Sequence, residues 1–232
     1  MGNIGNMNKM NLQLNFHNLR AEDIQTEETI NIVFVVDISP SVESYINDLN
    51  NSFNDFVQTM QASHVHDRLL VSIVEFNEKV QARSGFQPIT AIPNTIFVPR
   101  GSRTALYDAV LAGVQNAIDY RESLEKTGIN VKTLVFVITD GEDNCSQDHD
   151  GSAVKAELEK IKKDEHNVFS FTTILFGVGD QARFEAAKDA MGIQNLAKVG
   201  NTGKEIRKMI NIISSSISNS SSGQNPVSGI QF

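Results

Sequence analysis

Apolar residues in this chain fall into two patterns. Some form short, nearly unbroken runs; others recur every three or four positions. Thr29 to Val36 is the first run, and Ile30, Ile32, Val33, Phe34, Val35 and Val36 fill it. Runs this rich in β-branched residues predict strands buried on both faces. Leu69 to Phe76, Thr133 to Ile138 and Phe171 to Val178 repeat the pattern, and Leu196 to Val199 is a short last strand. Lys79 to Thr90 carries Gly85 and Pro88, so it predicts an edge strand or hairpin partner.

Between the runs the period changes to that of a helix. Val42, Tyr45, Ile46, Leu49, Phe53, Phe56, Val57 and Met60 form one apolar stripe. Ala105 to Lys126 predicts a long helix with Leu106, Val110, Val114, Ala117 and Ile118 inward, and Gly128 suits the position after its end. Ser152 to Glu165 is a charged helix with a narrow seam of Val154, Leu158 and Ile161. Ala182 to Ala190 is a short helix, and Lys204 to Ile217 closes the series with Ile206, Met209, Ile210 and Ile213 inward. Strands alternating with helices predict an α/β fold: a doubly wound, mostly parallel sheet flanked by helices on both faces. The division expected is a polar arm over 1–28, a domain over 29–217 and a disordered Ser-rich tail over 218–232. Within the arm, Leu12, Leu14 and Phe16 alternate with polar residues as a short edge strand would.

At 232 residues, 40% of them hydrophobic, the chain suits one such domain. Its net charge of −8 argues against nucleic acid and against an anionic membrane surface. Cys145 is the single cysteine, so no disulfide framework exists within the chain and a reducing compartment is expected. No run reaches the length of a membrane span, and the N-terminus lacks the apolar stretch of a secretory signal. The expected location is therefore the cytoplasm, of a bacterium or, for a phage-encoded protein, of its host.

The chemistry lies in three separated segments: Asp37-Ile-Ser-Pro-Ser41, Gly101-Ser-Arg-Thr104 and Thr139-Asp140-Gly141. Asp37 and Asp140 follow buried runs, and Thr104 opens a helix. Sheets of this kind bind ligands beyond the carboxyl ends of their strands, where strand order reverses. Asp37, Ser39, Ser41, Thr104 and Asp140 would then share one rim. They offer oxygen and neither nitrogen nor sulfur, which suits a hard divalent cation, Mg²⁺ first, with Mn²⁺ or Ca²⁺ as alternatives. Taken singly, Ser39, Ser41 and Thr104 read as helix caps and Asp140-Gly141 as a turn.

These segments resemble the von Willebrand factor type A domain. The family's metal-ion-dependent adhesion site reads Asp-x-Ser-x-Ser, then a distant Thr, then a more distant Asp. Asp37, Ser39, Ser41, Thr104 and Asp140 match it in order, and Thr104-Ala-Leu-Tyr-Asp-Ala109 and Ile138-Thr-Asp-Gly-Glu-Asp-Asn144 look like bacterial and phage members. One position departs: Pro40 stands where the family usually has Gly between the serines. The resemblance implies that Ser39, Ser41 and Thr104 ligate the ion directly, while Asp37 and Asp140 act through waters and hydrogen bonds. Neutral hydroxyls leave the ion electrophilic, so a partner protein's carboxylate can take the open position.

The function expected is a metal-dependent protein-interaction module and not an enzyme. One alternative is a structural or assembly subunit of a phage particle or of a machine built around a ring ATPase. Another is a Mg²⁺-dependent phosphohydrolase, against which Ser39 stands where an aspartyl-nucleophile enzyme carries a second Asp. Of the remaining candidates, Asp108 is expected to serve the helix dipole, Glu142 and Asp143 to be solvated loop acids, and His64, His66 and Cys145 to be bystanders. Gly177-Val-Gly179 lacks the third glycine of a dinucleotide fingerprint.

Overall fold

Each buried run becomes a strand, and each amphipathic stretch a helix. The computed structural model describes residues 14–162, 170–180 and 182–231. The elements are β1 (Glu28–Asp37), α1 (Ile46–Gln61), β2 (Leu69–Phe76), β3 (Val80–Pro88), α2 (Leu106–Glu125), β4 (Asn130–Thr139), α3 (Gly151–Lys162), β5 (Phe171–Val178), α4 (Phe184–Met191), β6 (Asn195–Val199) and α5 (Gly203–Ser221).

The six strands run in the order β3-β2-β1-β4-β5-β6. All neighbours are parallel except β2 and β3, which pair antiparallel with a register shift along the way. The Gly- and Pro-bearing run thus takes the edge, where a missing donor is harmless. From β1 the chain winds outward to β3; from β4 it winds outward the other way to β6. The reversal falls between β1 and β4, which lie side by side.

Alternation along β1 builds two core layers. Ile30, Ile32, Phe34 and Val36 face α1 and α5; Val33 and Val35 face α2. Phe34 meets the Phe53 ring edge-on at 5.1 Å and Phe56 at 5.7 Å, aromatic geometry favourable beyond simple burial. On the other layer Gly113 lets α2 approach the sheet: a Cβ there would stand 2.8 Å from a Val35 methyl.

Four expectations need correction. The helix read from Val42 begins as a 3-10 turn, Pro40–Ser44, and becomes α-helical at Ile46. The final helix runs on to Ser221 because Ser216 and Ser220 are buried in line with Ile213 and Ile217. Beyond it the chain packs back rather than trailing away. Asn219 Nδ2 donates to the carbonyls of Pro226 (3.2 Å) and Ser228 (2.9 Å), and Val227 and Ile230 pack on the core. Serine content is a poor guide to disorder where apolar residues still recur at helical spacing. In the arm, Leu12 lies outside the described residues, and 14–20 form no strand. Asn18 and Leu19 hydrogen-bond Phe86 of β3, while Phe16, Leu19 and Ile24 pack on the α2 layer.

Candidate metal centre

β1 ends at Asp37 and β4 at Thr139, so the first and third segments emerge side by side at the reversal of strand order. Asp37 is buried, and both its oxygens are engaged. Oδ1 accepts the Ser39 N–H at 2.8 Å and Oδ2 the Thr139 hydroxyl at 2.6 Å. This carboxylate therefore joins the two strand ends. Ser39 Oγ lies 3.0 Å from Ser41 Oγ, and Ser41 Oγ donates to Asp140 Oδ1 at 2.7 Å. Four of the five predicted site residues thus form one connected set.

Pro40 fits without strain. It opens the 3-10 turn, where its fixed φ is an asset and its missing N–H has no intrahelical partner to lose. Ser39 before it is extended, at φ −66° and ψ 164°, as a residue preceding proline prefers.

The second segment reaches the same rim by another route. Two asparagines one turn apart on α1 hold the preceding stretch extended. Asn50 exchanges hydrogen bonds with the backbone of Phe97, at 2.8 and 3.0 Å, and Asn54 does so with Thr95, at 2.8 and 2.7 Å. The Arg100 N–H then donates to Ile38 O at 2.8 Å, tying this segment to the first. Gly101 makes the turn at φ +87°, where a Cβ would also strike Asn77 and Glu78. Thr104 is clamped from both sides. Its N–H donates to Asn144 Oδ1 at 2.8 Å, and its carbonyl accepts the Asn144 N–H at 3.0 Å. Its hydroxyl lies 3.8 Å from where a Cβ on Gly141 would stand. The fifth residue is thereby brought beside the third segment.

Electrostatically the rim is under-compensated. Burial pushes the Asp37 carboxyl up to about 6, against the opposing pull of its bonds to Thr139 and Ser39. Burial likewise raises Asp140, which the Ser41 bond partly offsets. The donors fit a hard divalent cation. Ser39 and Ser41 would supply neutral hydroxyl oxygens and Asp37 and Asp140 carboxylate oxygens, the donor chemistry such an ion prefers. Among the described residues no three His, Cys, Asp or Glu side chains converge as a metal cage.

The neighbours are busier than sequence suggested. Asp108 is buried and accepts the N–H groups of Gln147 and His149, each at 3.0 Å, with His149 Nδ1 at 3.2 Å. It anchors the loop after Asp140 in addition to sitting in the first turn of α2. Asp143 accepts the Tyr107 N–H at 3.2 Å and the Ser146 hydroxyl. Glu142 pairs with Arg183, whose guanidinium holds its carboxyl below the usual range. His64 and His66 are exposed, and Cys145 is free. The two α1 asparagines escaped notice, and Thr139 and Asn144 stood in the quoted segments without a role, because those roles run through hydrogen bonds between distant segments.

The structure is a doubly wound α/β domain with a rim of oxygen-bearing side chains at its strand-order reversal. The family can be stated as well. The von Willebrand factor type A domain model matches residues 31–224, and the chain belongs to that family. Solved structures share the fold at low identity. Proximal thread matrix protein 1 (PTMP1) from the mussel byssus, with a zinc-occupied MIDAS motif, is 17% identical with a TM-score of 0.52, over 81% of this chain and 45% of that one. The PilB minor pilin from Streptococcus sanguinis is 12% identical with a TM-score of 0.56, over 85% and 63%. The pilus adhesin SpaC from Lactobacillus rhamnosus GG, in an open conformation, is 13% identical with a TM-score of 0.57, over 87% and 31%. This chain thus spans less than two thirds of each neighbour. No curated protein matches the sequence. No described helix is long and apolar enough to cross a membrane.

Proposed function

We propose that this domain captures an acidic side chain of a partner protein through a divalent cation held by Ser39, Ser41 and Thr104, with Asp37 and Asp140 behind them. The observation that carries the reading is the connected run from Asp37 through Ser39 and Ser41 to Asp140. Its hydroxyls are neutral, so a bound ion keeps most of its charge for an incoming anion. The all-oxygen donor set suits Mg²⁺ first, with Mn²⁺ or Ca²⁺ as alternatives. The bound cation supplies electrostatic attraction for the partner's carboxylate, and the protein's residues fix where that attraction is aimed.

Binding suits the rim better than turnover. A general base must reach a proton on substrate or water, yet both Asp37 oxygens point inward onto Ser39 and Thr139. The MIDAS motif of the mussel protein and the adhesin and pilin names of the bacterial ones agree with an interaction role. A partner within an assembly complex, an ATPase among them, and a cytoplasmic location belong to the same proposal. The test is co-purification from lysate in Mg²⁺ and in chelator, with wild type and Asp37→Ala. Partners recovered with Mg²⁺ and wild type alone support the reading; equal recovery in all four arms overturns it.

A further inference from the structure

A groove of about 740 Å³ opens over the C-terminal ends of β5 and β6, beside the cation site. Ser41 and Asp140 line both. Its deepest lining is apolar, formed by Tyr45, Val178, Phe184 and Val199, while Asp180 and the ion pair of Glu185 with Lys198 line its charged side. At its mouth stand the exposed Ser44 hydroxyl and Asn201 amide, suited to the backbone of an extended segment. Tyr45 is the wall common to groove and site. Its hydroxyl is buried and makes no hydrogen bond. Burial, then the charges of Asp140 and Asp37, raise it well above the ordinary phenol range, which places it near both carboxylates. A buried hydroxyl without a partner is uncommon in folded proteins and calls for an explanation. The size of the groove lies in the range of sites that bind small ligands and side chains.

We propose that this groove selects the sequence around the captured acid: the partner presents an extended segment in which an apolar side chain lies within two residues of the metal-bound Asp or Glu. This rests on the carboxylate-capture reading above. Shared lining residues make groove and cation site contiguous, so a chain anchored on the ion must cross or flank the groove. In an extended chain, side chains alternate in direction at roughly 3.3 Å per residue. An acid directed at the ion therefore sends a neighbour one or two positions away toward the apolar floor. Recognition by alternate pockets along an extended peptide is a general mode.

The test uses the full chain and immobilised hexapeptides with a fixed Asp or Glu, each position within two residues varied in turn, in Mg²⁺ and in chelator. The expected result is Mg²⁺-dependent binding in which an apolar residue at one of those positions improves affinity at least tenfold over Ser or Lys. Asn201→Trp, which fills the mouth from the β6 side, should reduce that preference below twofold. Ser44→Trp fills it from the opposite side and serves if the first variant does not fold. Mn²⁺ titration of each variant is the control for the metal site. Acid-dependent binding with no preference at any position, or a preference that both variants leave intact, overturns the groove and spares carboxylate capture. Mn²⁺ binding without Mg²⁺-dependent capture of any peptide overturns both.

Discussion

Strands β1 and β4 carry charge at both ends of the sheet, and the two ends are built on opposite plans. At the amino end, Glu28 lies between Arg68, at 3.1 Å, and Lys132, at 3.2 Å, and Lys132 also donates to the Ser220 carbonyl that ends α5. That acid is fully matched by cations of the chain. At the carboxyl end, Asp37 accepts a backbone N–H and a hydroxyl and Asp140 a hydroxyl, and among the described residues no cationic side chain pairs with either. Burying a carboxylate without a counter-charge is expensive. Its persistence at one end, beside full compensation at the other, is the contrast on which the proposed cation site rests.

The sharpest way to break that contrast is Asp37→Asn. Asparagine keeps the shape and can still accept the Ser39 N–H, but it carries no charge. The expected result is loss of Mg²⁺ or Mn²⁺ affinity by about 100-fold, the upper range for residues that orient a metal site. Metal-free stability should meanwhile rise, by about 1–3 kcal/mol at pH 7, because the uncompensated charge is gone. Glu28→Gln should do the reverse, costing about 1 kcal/mol while leaving metal affinity alone. Calorimetric titration and chemical denaturation read the two quantities separately. Equal loss of metal affinity in both variants would erase the distinction between the ends.

The next test uses pH. The folded-state pKa of Asp37, about 6, lies above its ordinary value of 3.8. The folded protein therefore binds a proton over a range where the unfolded chain does not. Stability in chelator should rise as pH falls from 7 through 6 toward 4, by about 3 kcal/mol in the limit. Saturating Mg²⁺ should flatten that rise, since the cation stabilises the same carboxylate in its charged form. Denaturation midpoints across that window, with and without metal, decide it.

A smaller effect probes how the rim is held together. Asn144 touches Thr104 through its side chain and its backbone. Asn144→Ala should weaken metal binding about tenfold, in keeping with the loss of an outer hydrogen-bonding partner. A change in melting temperature with no change in metal affinity would make Asn144 a purely structural clamp.

These cases show what was legible in the sequence. The strands announced themselves because both faces are buried, leaving apolar runs that a few polar residues such as Asn31 and Ser72 interrupt. Asp37, Ser39, Ser41, Thr104 and Asp140 stood out because they follow or precede those runs, and the reversal between β1 and β4 brought them to one rim. Asn144, Thr139, Asn50 and Asn54 carry no such mark. Their partners lie 40, 102, 47 and 41 residues away in the chain, and an asparagine or threonine gives no hint of that, even beside Asp140. The packed tail was missed for a related reason. Ser216 and Ser220 read as polar linker, yet they continue the inner face of α5 between apolar positions.

The smallest expected effect separates two tyrosines. Tyr45 and Tyr120 are both buried with hydroxyls that make no hydrogen bond. Tyr120 stacks on Phe86 at 4.6 Å on the α2 layer, away from the cation rim. Tyr45 is within electrostatic reach of Asp140 and Asp37, whose charges raise its phenol further above the ordinary range. Removing an unpartnered buried hydroxyl is close to neutral or stabilising, by at most about 1 kcal/mol. Tyr45→Phe and Tyr120→Phe should therefore behave alike in chelator, with melting points at or slightly above wild type. They should part company once Mg²⁺ and an acidic peptide are added: Tyr120→Phe binds as wild type, and Tyr45→Phe loses affinity about two- to fivefold, on the order of one neutral hydrogen bond. Identical binding by the two variants would show that the Tyr45 hydroxyl is an idle feature of the core and that the wall it forms contributes shape alone.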